Sequence, residues 1–243
     1  MTNFENMITI IEKTKENIIV AKDSIHSTEI DQCLNFSADL QIWIEVIKDF
    51  SNIELVNESY VECKKSILLC VQGFYKESIF TLRQFLEHML FAIKLSTDDY
   101  KYKLWVHGQL DMSWTSIVDR EDGVFGKRYI KLYAGDLYEE RSMELTTIAK
   151  NVYRECSEFV HGNYGKISDL SNEVIYDEKL LEQYLGYFSS IQYIISMALF
   201  IRFRDQLGVK DNLSKLEQTI MDNIGMIPEI QALYGLERGE VNE

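Results

Sequence analysis

The sequence predicts an all-α protein, and three observations carry that expectation. The chain of 243 residues contains one proline, and no glycine precedes Gly73. A β-sandwich or barrel needs turn residues every 8–12 positions, which this composition does not supply. Apolar residues recur at helical spacing through most of the length, and hydrophobic residues make up 46% of the chain, enough for a sizeable core.

The elements follow in order. Phe4, Met7, Ile8, Ile11, Ile18 and Ile19 predict a helix over 3–22, with Lys13, Lys15 and Glu16 interleaved. Ser24 to Ser27 break the pattern. Ser27 or Thr28 is placed to cap a second helix over about 28–50, which runs through Leu34, Leu40, Trp43, Ile44 and Ile47. Ser51 and Asn52 separate it from a third helix over about 53–72. After Gly73 the apolar pattern resumes through Ile79, Leu82, Phe85, Leu86, Met89, Leu90 and Ile93, a central buried helix over about 75–95.

Residues 97–134 hold no sustained helical period and predict loops, short helical turns and a small hairpin. From Lys101 to Lys131 six basic residues face four acidic ones, a local balance of about +2. Helical texture returns over about 137–161, through Leu145, Ile148, Val152, Phe159 and Val160, and Gly162 ends it. A long apolar helix over about 177–207 stops at Gly208. A last helix over about 213–224 leads to Pro228 and a short helical stretch, with a frayed tail at 236–243. The simplest organisation is one all-α domain: an N-terminal helical extension over 1–52, a core over 53–207 carrying the insertion 97–134, and C-terminal helices and tail over 208–243.

Composition narrows the function classes. With 25 Lys and Arg against 39 Asp and Glu the net charge is −14, which disfavours a general nucleic-acid coat but leaves room for one local site. The N-terminal residues show no secretory pattern, and no apolar run approaches the roughly 20 residues that span a bilayer. Cys33, Cys63, Cys70 and Cys156 lack CxxC spacing and predict buried thiols in a reducing cytoplasm. Neither HxxxH nor HExxH occurs among the four histidines, so no metal or other cofactor is expected. His26 is expected exposed, His88 packed and hydrogen-bonded, and His107 a loop residue.

His161 is the informative histidine. It lies seven residues after Arg154, and seven steps of 100° return to within about 20° of the same direction. The two side chains therefore share a helix face, with Cα atoms about 10 Å apart. An arginine can hold a phosphate in bidentate fashion, and a histidine can move a proton near neutral pH. That pair suits metal-free phosphoryl transfer; it equally suits a plain helix C-terminus, where both side chains favour the carbonyl end of the dipole. Glu158, at i+4 from Arg154, is positioned to hold the guanidinium. Arg83 and Glu87 are spaced to pair with one another or with the motif helix. Tyr153 and Tyr164 flank the motif, where they pack or meet a base. Gly123-Val124-Phe125-Gly126 lacks the spacing of a phosphate loop and reads as a turn.

Arg154-x6-His161, at the end of a predicted helix, resembles the Rx4–6H motif of HEPN domains. Tyr153-Arg154 and Ser157 through Gly162 are similar to the sequences around that motif. Leu82-Arg83-Gln84-Phe85-Leu86-Glu87 is similar to the helix that precedes the insertion in such proteins, so the resemblance covers about 55–205. It implies an antiparallel helical bundle of HEPN type with an irregular insertion between the central helices, and a homodimer whose motif helices complete one cleft. It also implies a metal-independent endoribonuclease of toxin–antitoxin, abortive-infection or antiphage systems, with RNA as substrate and an antitoxin or defence complex as further partner. On that resemblance Arg154 binds the phosphate, His161 is the acid or base, and the ribose 2′-OH attacks to leave a 2′,3′-cyclic phosphate. The alternative is a non-catalytic HEPN-like module that binds a nucleotide or a partner. Glu155 departs from the Asn, Asp or His that often follows the arginine, and it adds negative charge beside the phosphate site.

Overall fold

In a computed structural model, which describes residues 3–49, 53–167, 170 and 173–234, every regular element is helical and no strand occurs among the described residues. The elements are α1 (Asn3–Lys22), α2 (Ser27–Ile47), α3 (Ile53–Val71), α4 (Tyr75–Leu95), α5 (Asp99–Val106), α6 (Trp114–Ile117), α7 (Lys127–Tyr133), α8 (Tyr138–Val160), α9 (Tyr164–Ile167), α10 (Glu178–Leu207), α11 (Lys210–Ile224) and α12 (Pro228–Leu233). The short helical turns expected within 97–134 are α5, α6 and α7, and no hairpin occurs among the described residues there. The helix expected at 213–224 starts three residues earlier, and the expected tail at 236–243 lies outside the described residues.

The chain groups into two compact units, each assembled from separate stretches. The first combines Met1–Leu40, Glu54–Met89 and Ala149–Ile191. Its core is built on Ile79, Leu82, Phe85 and Leu86 of α4, which are fully buried. Phe36 of α2 meets Phe85 and Phe188 edge-on, at ring centroid distances of 6.4 and 5.9 Å, the arrangement that ring quadrupoles favour. The buried Tyr184 hydroxyl lies 2.9 Å from Ser66 Oγ, so this phenol has a partner in an apolar setting. All four cysteines are free and buried. Burial pushes the Cys33 thiol up to about 12 and raises those of Cys63 and Cys70 as well, which keeps them as protonated, unreactive core groups.

Asn17 ties α1 into this unit. Its Nδ2 donates to Gln72 O at 2.9 Å, and its Oδ1 accepts from Tyr176 N at 3.0 Å. Gly73 sits against the same side chain with φ +89°. A Cβ there would meet Asn17 Nδ2 at 2.7 Å and Ile175 O at 2.8 Å, so both the backbone conformation and the space require glycine. The buried positions of α1 are Thr14, Asn17 and Ala21, whereas Phe4, Met7, Ile8 and Ile11 are exposed. The apolar pattern that predicts α1 is therefore not the face this unit buries.

The second unit combines Gln41–Ile53, Leu90–Ile148 and Gln192–Glu243. Arg202 organises it: Nε donates to Ser96 Oγ at 2.7 Å, Nη2 to Ser96 O at 2.8 Å, and the guanidinium lies 4.9 Å from the Tyr133 ring centroid. Ser142 Oγ donates to Phe125 O at 2.7 Å and pins the 123–126 turn, whose Val124 and Phe125 are buried. That turn is an apolar plug. The excess positive charge read from 101–131 is largely matched by neighbours: Lys101 pairs with Asp98, Lys103 with Asp99 and Arg128 with Asp122, at 3.0, 2.9 and 3.2 Å.

The 30-residue α10 is long and apolar enough on average to cross a bilayer, although polar residues scattered along it leave no unbroken apolar run of about 20 residues. In the protein 61% of its most apolar stretch is buried, as in a core helix.

Candidate functional site

The candidate site is built on the last three turns of α8, within the first unit. Val152, Cys156 and Phe159 form the buried stripe of this segment. At 100° per residue, Arg154 and His161 lie roughly 170° from the centre of that stripe. Both residues are exposed. His161 N donates to Ser157 O at 2.9 Å, so the helical hydrogen-bond ladder runs without interruption from Arg154 to His161. Gly162, at φ 73°, then turns the chain, and Asn163 N donates back to Glu158 O at 3.1 Å. This is the glycine-dependent closure that ends a helix cleanly and leaves the imidazole on its outer rim.

The guanidinium has a different partner from the expected one. Arg154 Nη2 lies 3.5 Å from Glu155 Oε1, not beside the half-buried Glu158. Neighbouring helical positions do not face each other, so the long arginine side chain bends sideways to reach Glu155. Arg154 is 66% exposed, and the pair is a loose, water-screened one.

Beneath this surface lies a better-ordered cluster. Arg83 Nε donates to Glu87 Oε2 at 3.2 Å, the pairing that their spacing predicts. The Arg83 guanidinium also stacks 4.8 Å from the Tyr153 ring centroid, which fastens α8 to α4 beside Arg154. Arg83 Nη1 is buried without a hydrogen-bond partner among the described residues, so the aromatic face is a major stabilising neighbour of this cation. Burial raises the Tyr153 phenol, and the Glu87 carboxylate adds to the shift. Tyr153 is thus a packing residue. Tyr164, in the short α9, is 86% exposed and stands free of the core.

Two further residues of the first unit were not singled out from the sequence, of which only the first lies on the Arg154 face. Lys150 lies four residues before Arg154, within about 40° of it around the helix, and adds a third basic group to one stripe. The spacing Lys150-x3-Arg154-x6-His161 carried that signal. Glu62 of α3 carried none, because its partner is remote in sequence: its Oε2 lies 2.9 Å from His88 Nδ1, with the carboxylate almost fully buried. His26, expected exposed, is mostly covered and sits 3.7 Å from Glu29 and 4.0 Å from Glu178. His107 is exposed, away from these groups in sequence and in the other unit.

The hydrogen bond to Glu62 is the main reason that the His88 imidazole is raised above its ordinary 6.5, against burial. Protonated His88 is therefore favoured in the folded chain. Its contribution is fully present below the unfolded value and is lost as pH rises through the higher folded value. Thermal melts between about pH 6 and about pH 8.5 are expected to show Tm falling with pH, with a smaller fall in His88→Gln. Equal slopes in the two proteins would contradict this assignment.

Comparison with protein-family models, with curated proteins and with solved structures gives no match.

Proposed function

We propose that the chain is a metal-independent endoribonuclease of HEPN type, an antiparallel helical bundle acting as a toxin or antiphage effector. The observation that carries the reading is the placement of Arg154 and His161 on the solvent side of one uninterrupted helix, opposite its buried stripe. A guanidinium and an imidazole in that arrangement can meet the same phosphodiester from one surface.

In the proposed reaction Arg154 binds the non-bridging phosphate oxygens and offsets the charge that builds on them. His161 takes the proton of the ribose 2′-OH as its oxygen bonds to phosphorus. The bond from phosphorus to the 5′-oxygen breaks, and that oxygen is protonated by the imidazolium of a second copy across a composite cleft. The products are a 2′,3′-cyclic phosphate and a 5′-hydroxyl. Lys150 adds attraction for the backbone of the strand, and exposed Tyr164 offers a ring on which a base can stack. Arg83, Glu87 and Tyr153 position α8 rather than touch substrate.

The Arg154–Glu155 pair favours a second reading, a HEPN-like module that binds a nucleotide or partner without cleaving, because the phosphate ligand is partly occupied by its neighbour. The two readings separate on one variant. If the site is catalytic, purified protein cleaves RNA in EDTA, and Glu155→Gln lowers KM by about threefold or more by releasing Arg154. Absence of cleavage by wild type and by Glu155→Gln across a panel of structured RNAs and tRNAs would leave the binding module.

A further inference from the structure

A groove of about 720 Å³ runs along the first unit between α1, α2 and α3. Its α2 wall is the stripe Ser27, Ile30, Asp31, Leu34 and Ser37, and its α3 wall is Val61, Lys64, Lys65, Leu68 and Val71. Both walls have the spacing i, i+3, i+4, i+7, i+10, so each is one continuous helix face about 15 Å long. Leu34 and Leu68 are each about half exposed, at 49% and 50%. Two such stripes lining one mostly apolar groove suit a third amphipathic helix. Lys22, Lys64 and Lys65 line it against a single carboxylate, Asp31, in a chain whose net charge is −14.

The chain itself carries a helix of the complementary kind. Over the first three turns of α1, Phe4, Met7, Ile8 and Ile11 make an i, i+3, i+4, i+7 stripe about 10 Å long, and Lys15 ends it. These four side chains are exposed, Phe4 by 75%. Glu5, Glu12 and Glu16 run along one edge of the stripe. The stripe is apolar with an acidic edge, and the groove is apolar with a basic edge. The arm cannot fill the groove of its own chain, because the same continuous helix supplies Ile18 and Lys22 to the groove wall.

We infer that a second copy of this chain covers the groove, each protomer laying the N-terminal half of α1 between α2 and α3 of the other. The exchange is reciprocal and closes as a two-fold dimer. Apolar contact between the arm and the floor supplies affinity, and the Glu–Lys edges set register and direction. This interface is separate from the α8 surface and does not depend on the ribonuclease reading.

The test is sedimentation of the full chain. Wild type is expected to be dimeric at micromolar concentration, and Ile8→Glu and Leu68→Glu each raise the dimer Kd by about tenfold or more while far-UV circular dichroism is unchanged. A charge exchange separates this arrangement from a generic sticky face. An arm variant, Glu5→Lys with Glu12→Lys, repels its own groove; a groove variant, Lys64→Glu with Lys65→Glu, repels its own arm. Each alone is expected to be monomeric, and an equimolar mixture to form the heterodimer. A monomeric wild type, a dimer indifferent to all four variants, or a dimer lost only on substitution of Arg154 and His161 overturns the proposal. A wild-type dimer that cleaves RNA and is indifferent to these variants would overturn it without touching the reading of the α8 site.

Discussion

His161→Ala is expected to lower RNA cleavage by about 10²–10⁴-fold, the usual contribution of a positioned acid or base. Arg154→Ala is expected to lose about 10²–10³-fold, and Arg154→Lys does not recover it, because a point charge cannot reproduce the two-pronged contact with phosphate. Neither substitution should disturb folding. Both side chains are exposed and lie opposite the stripe of Val152, Cys156 and Phe159 that packs the C-terminal part of α8 into the first unit. Circular dichroism and Tm close to wild type, together with lost cleavage and relief of growth arrest on expression, are the expected pattern. Wild-type activity in both alanine variants would remove these residues from the mechanism.

Arg83→Ala is expected to do the opposite: a large effect on stability, felt at the site only through α8. The substitution strips the Tyr153 ring of its cation and leaves the Glu87 carboxylate, only 10% exposed, without its partner at 3.2 Å. Leaving one half of a covered ion pair costs about 3 kcal/mol, measured as a shift in the urea midpoint at constant slope. Arg83→Met with Glu87→Leu removes both charges and keeps the volume, and is expected to recover most of the loss. A loss of stability below about 0.5 kcal/mol in Arg83→Ala would mean that the stack and the pair hold nothing together.

Much of the fold is legible in the sequence because it rests on local periodicity. Gly73 stops α3, where only glycine accepts the turn, and the Leu82-Arg83-Gln84-Phe85-Leu86-Glu87 run reads directly as a helix with a buried face and one ion pair. The 97–134 segment resists such reading. Its structure depends on contacts such as Ser142 to Phe125 and Arg202 to Tyr133, which join residues far apart in the chain and leave no periodic trace. The first helix is legible as a helix but not in its orientation. Periodicity reports that Phe4, Met7, Ile8 and Ile11 share a face, yet Asn17, a polar residue making bonds to Gln72 and Tyr176, decides which side turns inward.

The candidate site divides in the same way. The shared direction of Arg154 and His161 follows from helix geometry alone, and the pairing of Arg83 with Glu87 from their four-residue spacing. The attachment of Arg154 to Glu155 does not follow, because it depends on how a flexible exposed side chain bends. The Glu62–His88 contact joins two helices through a hydrogen bond that no local pattern encodes.

The central claim is that Arg154 and His161 act together on a phosphodiester whose own 2′-hydroxyl is the nucleophile. Its most direct test compares cleavage, in EDTA, of an RNA oligonucleotide and of the same strand with deoxyribose at the scissile position. The account predicts cleavage of the first to a 2′,3′-cyclic phosphate end and an intact second strand; equal cleavage of both, or a 3′-hydroxyl product, would contradict it.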